Sequence, residues 1–458
     1  MAVTETEGGR GLSLAGLIGR ARAWRTDRGD RAAAQRMAGA AFLIRVTSAG
    51  IIYLTQVLLA RWMGRFEFGI YVYVWSWVGF LGMLAPLGIA YSAQRFIPDY
   101  RARGERERLA GFLRGARIIC FGLGVAAGLL LAGTVWMLGQ RISSYYLAPF
   151  LIASLALPIF TVSSAQDSIA RSFNWFLLAL LPGFIAQPLI IFVAVGALHL
   201  AGAPVTALAG LVAAVAALWT IVLLQMVLLN RRLGGELAPV ARRYEVGEWL
   251  ATALPIFLVD GFFILLTYVD ILVLQLFVGP DDIAVYYAAT KTLALVNFIY
   301  YAVSSASAHR FSEYHVSGES AKLAAFVTDT IRWTFWPSLA LAALMLVAGK
   351  FVLSLFGAGF ADGYPVLCVL VVGLIARASI GPSERLLNMV GEQFTCAAVY
   401  ASAFAVNLVL CFVLIPHFGL IGAASATATA ILVESALLFW AVKLRLGLHV
   451  FVLRSSKG

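Results

Sequence analysis

Apolar stretches of about 20 residues recur along this chain from residue 38 to residue 443, and no other feature limits its fold as much. Each is long enough to carry a helix across the ~30 Å hydrocarbon core of a bilayer. A spanning segment must satisfy its own backbone hydrogen bonds, which leaves helices and closed barrels. Runs this uniformly apolar lack the alternation of barrel strands, so they are helices. Only 12% of residues are charged and the mean hydropathy is +0.89, values that set the chain apart from soluble domains.

Twelve spans are predicted, at 38–60, 68–91, 116–137, 147–170, 176–198, 205–228, 252–277, 283–307, 330–349, 363–380, 394–415 and 420–442. An even number puts both termini on one side. Arg10, Arg20, Arg22, Arg25, Arg28, Arg31 and Arg36 precede the first span, and Arg95, Arg101, Arg103, Arg106, Arg108, Arg114 and Arg117 follow the second. Arg231, Arg232, Arg242 and Arg243 follow the sixth, with Arg445, Arg454 and Lys457 after the twelfth, whereas the opposite face offers little beyond Arg61, Arg65, Arg141 and Lys350. The positive-inside rule therefore predicts cytoplasmic termini. The formal charge of +11 sits in thin loops beside lipid headgroups, so it reports topology and not nucleic-acid binding. In the N-terminal arm, "LSLAGLIGRARAW" reads either as an interfacial amphipathic segment or as disorder. No cleavable signal is expected before residue 38, and the first span serves as the insertion signal. Cys120, Cys368, Cys396 and Cys411 lie in apolar spans without CxxC spacing and read as small buried hydrophobes.

"SAQRF" at residues 92–96 returns as "SAHRF" at 307–311, an offset of 215 residues. The copies end the second and eighth spans. At the same offset Gly64 aligns with Gly279 in the preceding turns and Tyr71 with Tyr286 in the helices. Six spans, a basic linker and six more fit a duplicated unit, a parallel repeat of the kind that encloses a central cavity between lobes. The expected organisation is a basic arm at 1–37, a first lobe at 38–228, a linker at 229–249, a second lobe at 250–443 and a tail at 444–458. Pro86, Pro158, Pro182, Pro188, Pro255, Pro337 and Pro365 lie in or near spans, where each either marks a moving part or sets a static kink.

No P-loop, HExxH, GxSxG or dinucleotide-binding GxGxxG is present, so the chain does not drive transport with its own ATPase. The outward loops are too short to gather a catalytic platform, and an enzyme is not expected.

Ionisable groups at membrane depth are costly and mark functional candidates. They are Arg45, Asp167, Asp260, Asp270, Lys291 and Glu434. Arg45 reads as a cavity cation for a phosphate, or as a snorkelling or ion-paired group. Lys291, about two turns into the eighth span, is the preferred cavity cation. Asp260 follows Pro255 by five residues and reads as a Na⁺ or H⁺ site with Asn407 and Thr427 or Thr429 as neutral oxygen ligands; alternatively Asp260 or Asp270 neutralises Lys291. Arg95 and Arg310, the repeated pair, either meet an anionic headgroup or anchor the topology. Glu434 and Asp167 read equally as interhelical hydrogen-bonding groups. Tyr286, Tyr287, Tyr300 and Tyr301 either stack on sugars or pack.

"NLVLCFVLIPHFGLIGAASATATA", residues 407–430, resembles the signature of the polysaccharide transporter family of the multidrug, oligosaccharidyl-lipid and polysaccharide exporter superfamily, the family of O-antigen and exopolysaccharide flippases. The matching residues are Asn407, Leu414, Ile415, Pro416, Phe418, Gly419, Gly422, Ala423, Ala424, Ala426 and Thr427. "LLARWMGRFEFGIYVYV" at 58–74 and "VLSLFGAGFADGYPVLCVLVVG" at 352–373 are similar to the family's first hairpin and its turn between helices 9 and 10. The resemblance implies an all-α MATE-like fold of about twelve helices in two pseudo-symmetric six-helix lobes. It also implies flipping of an undecaprenyl-diphosphate-linked oligosaccharide across a bacterial cytoplasmic membrane, for cell-surface polysaccharide assembly. Carried onto this sequence, the resemblance implies substrate contacts at Arg45 and Lys291 and cation coupling at Asp260, Asn407 and Thr427; the reading of the residues adds Arg310, Arg95 and Tyr286 as candidate substrate contacts and Asp270 as a candidate coupling acid. No cofactor is implied beyond coupling Na⁺ or H⁺, and polysaccharide polymerase or export proteins are implied partners. Helix 10 departs from some cation-coupled drug exporters of the superfamily by lacking a mid-span acid, which leaves the ion open. A multidrug antiporter of the same superfamily is the alternative, and a scaffold in an export complex is the third.

Overall fold

The computed structural model describes residues 30–236 and 240–452, with side chains for most of them. The arginines before residue 30, the segment "LSLAGLIGRARAW", Arg454 and Lys457 lie outside the described residues. The described chain divides between Thr47 and Ser48, and apart from the start of α1 the features described below belong to the part from Ser48 onward. Among the described residues all regular structure is helical.

The first long helix, α1, spans Asp30–Leu84 and is broken at Gly64. At φ 77°, ψ 172° Gly64 is far from helical geometry, in a region that lacks room for a Cβ. The chain turns back there, because Thr55 and Gly79 line one cavity although 24 residues of straight helix would separate them by about 36 Å. The last helix does the same at Gly419, where φ is 52° and Gly422 packs against the backbone of Leu414. Between them come α2 (Ile89–Arg103), α3 (Arg106–Leu138), α4 (Ser144–Ser154), α5 (Leu157–Ser172), α6 (Phe176–Leu181) and α7 (Gln187–Leu200). Then follow α8 (Ala207–Glu236), α9 (Val246–Leu274), α10 (Pro280–Val316), α11 (Ser320–Ser354), α12 (Tyr364–Ser379), α13 (Ser383–Met389) and α14 (Gln393–Leu446).

Among the described residues eight helices are long and apolar enough to span a membrane, and two bent pairs raise the number to 10. Two of these stretches, Val46–Arg103 and Gln393–Leu446, are hairpins at Gly64 and Gly419, so their arms bring the crossings to the expected twelve. Proline accounts for the main bends. Pro255 precedes a 46° bend between Val246–Leu258 and Asp260–Leu274, and Pro158 opens α5 beside a 44° bend after α4. Pro86 sits in the break between α1 and α2, whereas Pro337 lies inside an unbroken α11.

Within the second unit the helices form two bundles. In the first, α3 packs on α5, α2 on α3 and α5, and α8 on α4, α5 and α7; in the second, α14 packs on α9, α12 and α13, and α11 on α10 and α12. The repeat survives in the packing. Ser92 and Phe96 are buried with Gln94 and Arg95 exposed, and Ser307 and Phe311 are buried with His309 and Arg310 exposed.

The apolar core distinguishes the two ends. At the end bearing the Gly64 and Gly419 turns, one cluster runs across both bundles, from Val57, Phe68 and Tyr71 to Ile283, Phe356 and Ile415. At the arginine-rich end the core splits into two clusters. One, around Phe96, Phe112 and Ile169, includes Trp249 and Ala253 of α9; the other surrounds Phe311, Ile331 and Tyr400. The bundles are therefore fused at one end and parted at the other, with α9 crossing between them.

Candidate functional site

Where the fused core gives way, a cavity of about 270 Å³ lies between the bundles. The first hairpin contributes Thr55, Gln56, Tyr71, Trp75 and Ser76, the turn before α7 brings Gly183 and Gln187, and α9 and α10 add Tyr268, Tyr287 and Lys291. Among the described residues no carboxylate lines it. Lys291 is exposed although it sits deep in the protein, because the surface it presents faces the cavity. Its ammonium stands 4.8 Å from the centre of the Tyr287 ring, a cation–π contact that orients it without neutralising it. One turn away, Tyr53 and Thr292 share a hydrogen bond of 3.1 Å that ties the first hairpin to α10.

A short stretch of the hairpin closes the fused end of this cavity. Gly69 lies flat on the Pro280 backbone, so close that a Cβ would fall on the carbonyl. Phe68 packs edge-on against Tyr287 and Phe360. Beyond it Arg65 reaches Asp362 at 3.3 Å and Asp282 at 4.0 Å, both on the other bundle. Because the atom in the way is backbone, Gly69→Ala is expected to push the bundles apart here, at a cost of about 1–3 kcal/mol in the sealed state. With Gln56→Cys as reporter, labelling by an impermeant maleimide from the fused side should speed up roughly tenfold. An unchanged rate would show that Gly69 is not part of the seal.

At the parted end a second cavity, about 560 Å³, is lined by Arg95, Thr252, Pro255, Asp260, Asn388 and Gln393. Arg95 and Asp260 thus share a vestibule. Arg310, the other member of the repeat, instead lies over the Phe326 ring at 5.5 Å, on its own bundle, and lines neither cavity. Arg45 lies outside the residues whose side chains are described.

Of the expected cation ligands, the structure groups Thr427 with Asp270. Tyr286 donates to the Asp270 carboxylate at 2.7 Å, and Thr427 reaches the same oxygen at 3.4 Å. The other oxygen accepts the Ile271 N–H at 2.8 Å. Nearby, Asn407 is fully buried; its Oδ1 accepts the Cys411 thiol at 3.4 Å and its Nδ2 has no partner among the described residues. Asp260 lies apart from this group, and Tyr286 points into it and away from the cavity, which takes the adjacent Tyr287. Neighbours on a helix differ by about 100° in direction, enough to separate the two tyrosines.

Asp167 accepts a 2.8 Å hydrogen bond from Gln225, which also donates to the Leu178 carbonyl, and so serves as an interhelical link. Glu434 is almost completely buried with Arg377 at 3.1 Å, while Glu384 lies 3.9 Å from the same guanidinium and Tyr300 stands 5.1 Å beneath it. Sequence reasoning missed Arg377 because it lies in the last turn of its span, where arginine reads as an anchor. A buried acid in need of a cation was the available signal. It also missed Thr55, Gln56, Ser76 and Gln187, neutral polar residues inside apolar spans.

The sequence matches the family model described as polysaccharide biosynthesis protein over residues 36–315. No curated protein matches it. Among solved structures the fold is similar to an inward-facing multidrug resistance MATE family transporter of the MOP superfamily, with TM-score 0.70 and 15% identity over 88% of this chain and 94% of that one. It is similar also to the lipid II flippase MurJ in an inward closed conformation, with TM-score 0.69 and 16% identity over 88% and 87%. A MOP superfamily transporter from Pyrococcus furiosus, described as having a binding pocket of reverse polarity, gives 0.67 and 15% over 92% and 97%. At these identities the likeness is one of fold.

Proposed function

The chain belongs to the polysaccharide biosynthesis protein family, and on that premise we propose that it is a flippase for a lipid-linked oligosaccharide, carrying the diphosphate-sugar headgroup of an undecaprenyl lipid across a bacterial cytoplasmic membrane. The observation that carries this reading is the lining of the central cavity: one lysine, five aromatic side chains, amides and hydroxyls, and no carboxylate among the described residues. An ammonium with no carboxylate beside it in the cavity favours a phosphate, aromatic faces suit the apolar sides of sugar rings, and amides and hydroxyls suit their OH groups. At about 270 Å³ the cavity is near the small end of ligand pockets, roughly 300–1,000 Å³. It has room for the diphosphate and a first sugar, with later sugars toward the vestibule and the polyprenyl tail in lipid.

On this reading the arginine-rich end faces the cytoplasm, as the positive-inside rule has it, and the parted bundles admit the headgroup from that side. Transport requires the Gly69 seal to open while the parted end closes. The chain then acts without chemical conversion of its cargo, and polymerase or export proteins would take the lipid on the far side.

The group around Asp270 is the proposed coupling site. One carboxylate among the hydroxyls of Tyr286 and Thr427, with the Asn407 amide nearby, suits a proton or a monovalent cation better than a divalent one, which would demand more charge. Asp270→Asn is expected to remove any stabilisation by Na⁺ over K⁺ seen in the thermal unfolding of the unmodified protein, and Asp260→Asn to leave it in place. The opposite pattern would transfer coupling to the vestibule.

The reading as a whole is tested in proteoliposomes by movement of an undecaprenyl-diphosphate oligosaccharide, with undecaprenyl alcohol and a cationic dye as controls. Selective movement of the diphosphate-sugar lipid is expected. Dye transport that depends on Asp260, without preference for diphosphate, would move the protein to the drug-antiporter reading.

A further inference from the structure

Away from the central cavity, on the outer flank of the first bundle, α3 and α8 diverge at the arginine-rich end and leave a cavity of about 600 Å³. Arg114 and Arg117 of α3, Asn230 of α8 and Arg242 of the following segment line it, with no carboxylate in the lining among the described residues. Arg117 is held in place by one hydrogen bond, from Nη1 to the Asn230 Oδ1 at 2.6 Å. Its Nε and Nη2 are buried and have no partner among the described residues. A guanidinium has five N–H donors, and burying some of them unmet is costly. Three like charges line one cavity with no acid among the described residues, an arrangement that suits an anion from outside the chain.

The apolar part of the lining identifies the kind of anion. Ile118 follows Arg117 down α3 into the membrane, and Met226 lies one turn deeper than Asn230 on α8; both line the cavity. Phe121 and Leu223 below them and Val227 beside Met226 stay at least two-fifths exposed, which on a membrane-embedded surface means facing acyl chains. The site is thus basic at the boundary and grades directly into a lipid-facing apolar strip. A free anion would use only the first part, and an amphiphile uses both.

We propose that this flank cavity is a binding site for the phosphate of an anionic membrane phospholipid, with Arg117 as its central ligand, Arg114 and Arg242 flanking it, and the acyl chains lying along Phe121 and Val227. Basic pockets between helices at the cytoplasmic boundary take headgroups in this way. The site shares no residue with the central cavity, so it is independent of the transported lipid.

The test uses the full-length protein in neutral detergent, with thermal unfolding followed during titration with phosphatidylglycerol, phosphatidylcholine or inorganic phosphate. Phosphatidylglycerol should stabilise the protein and the other two should not. Arg117→Gln should weaken the response roughly tenfold, as loss of a charge-assisted contact does, while Lys291→Gln keeps it in full. Should Arg117→Gln fail to fold, Arg242→Gln, outside the helices, should show the same direction of change. An unaltered response in the arginine variants, an equal loss in Lys291→Gln, or full stabilisation by inorganic phosphate alone would each overturn the assignment.

Discussion

Replacing Arg377 with methionine is expected to destabilise the protein by about 3 kcal/mol, the low end of what stranding one member of a buried ion pair costs. The reason is Glu434. Its side chain is 1% exposed, and Arg377, at 3.1 Å, is the cation that offsets its desolvation. The contact is an ion pair by distance without a well-aligned hydrogen bond on the carboxylate, which is why the low end applies. Glu384 is 3.9 Å from the same guanidinium, so removing Arg377 also leaves two acids facing each other across the gap. The Tyr300 face below the guanidinium loses its partner too. The double replacement Arg377→Met with Glu434→Leu should recover most of the loss, since a buried pair exchanged for apolar residues of similar volume is often neutral or better. Equilibrium unfolding of the single and double variants measures this directly as a coupling energy. A single variant within about 0.5 kcal/mol of the parent would mean that Glu434 is not held charged by Arg377.

Glu434 and Arg377 also show where sequence reading stops. Lipid imposes a length on every crossing, so the spans were legible as runs of apolar residues, and the two turns at Gly64 and Gly419 were legible as breaks between them. The repeat was legible too, because the two copies share a burial pattern: Arg95 and Arg310 are both exposed, each beside a buried phenylalanine, although only Arg95 lines the vestibule. The direction in which a polar side chain points was not legible. Asp260 and Asp270 are ten residues apart, which turns them by about 80° around a straight helix, and the 46° bend immediately before Asp260 aims the two parts differently. One acid enters the vestibule with Arg95 and the other meets Thr427 and Tyr286. Proline was an ambiguous guide for a related reason. Pro255 bends its helix, whereas Pro365 opens α12, where its missing N–H would have had no partner in any case. Arg377 went unseen because position along a span says nothing of depth in the bundle once an acid on a neighbouring helix can hold the charge.

Lys291→Gln is expected to weaken binding of an undecaprenyl-diphosphate oligosaccharide by roughly 30-fold or more, about 2 kcal/mol, the scale of removing one charged partner from a desolvated contact. The same substitution should not destabilise the protein. Lys291 faces a cavity with no carboxylate in its lining among the described residues and stands over the Tyr287 ring, with Asp270 acting on it only from a distance, so glutamine removes that charge and keeps most of the stem. Its unfolding temperature should be equal to or above that of the parent, because a group retained at a cost to stability is the mark of a site kept for its ligand. Lys291→Arg separates charge from shape: a guanidinium retains the attraction to phosphate but is wider and planar, so binding should fall less than in the glutamine variant. Binding measured by thermal shift and by direct titration, with undecaprenyl alcohol as the uncharged control, gives both quantities from one set of samples. Loss of stability together with loss of binding would make Lys291 a packing residue. Unchanged binding in Lys291→Gln would remove the central cavity as the diphosphate site, and with it the strongest reason for preferring an anionic headgroup over a cationic drug.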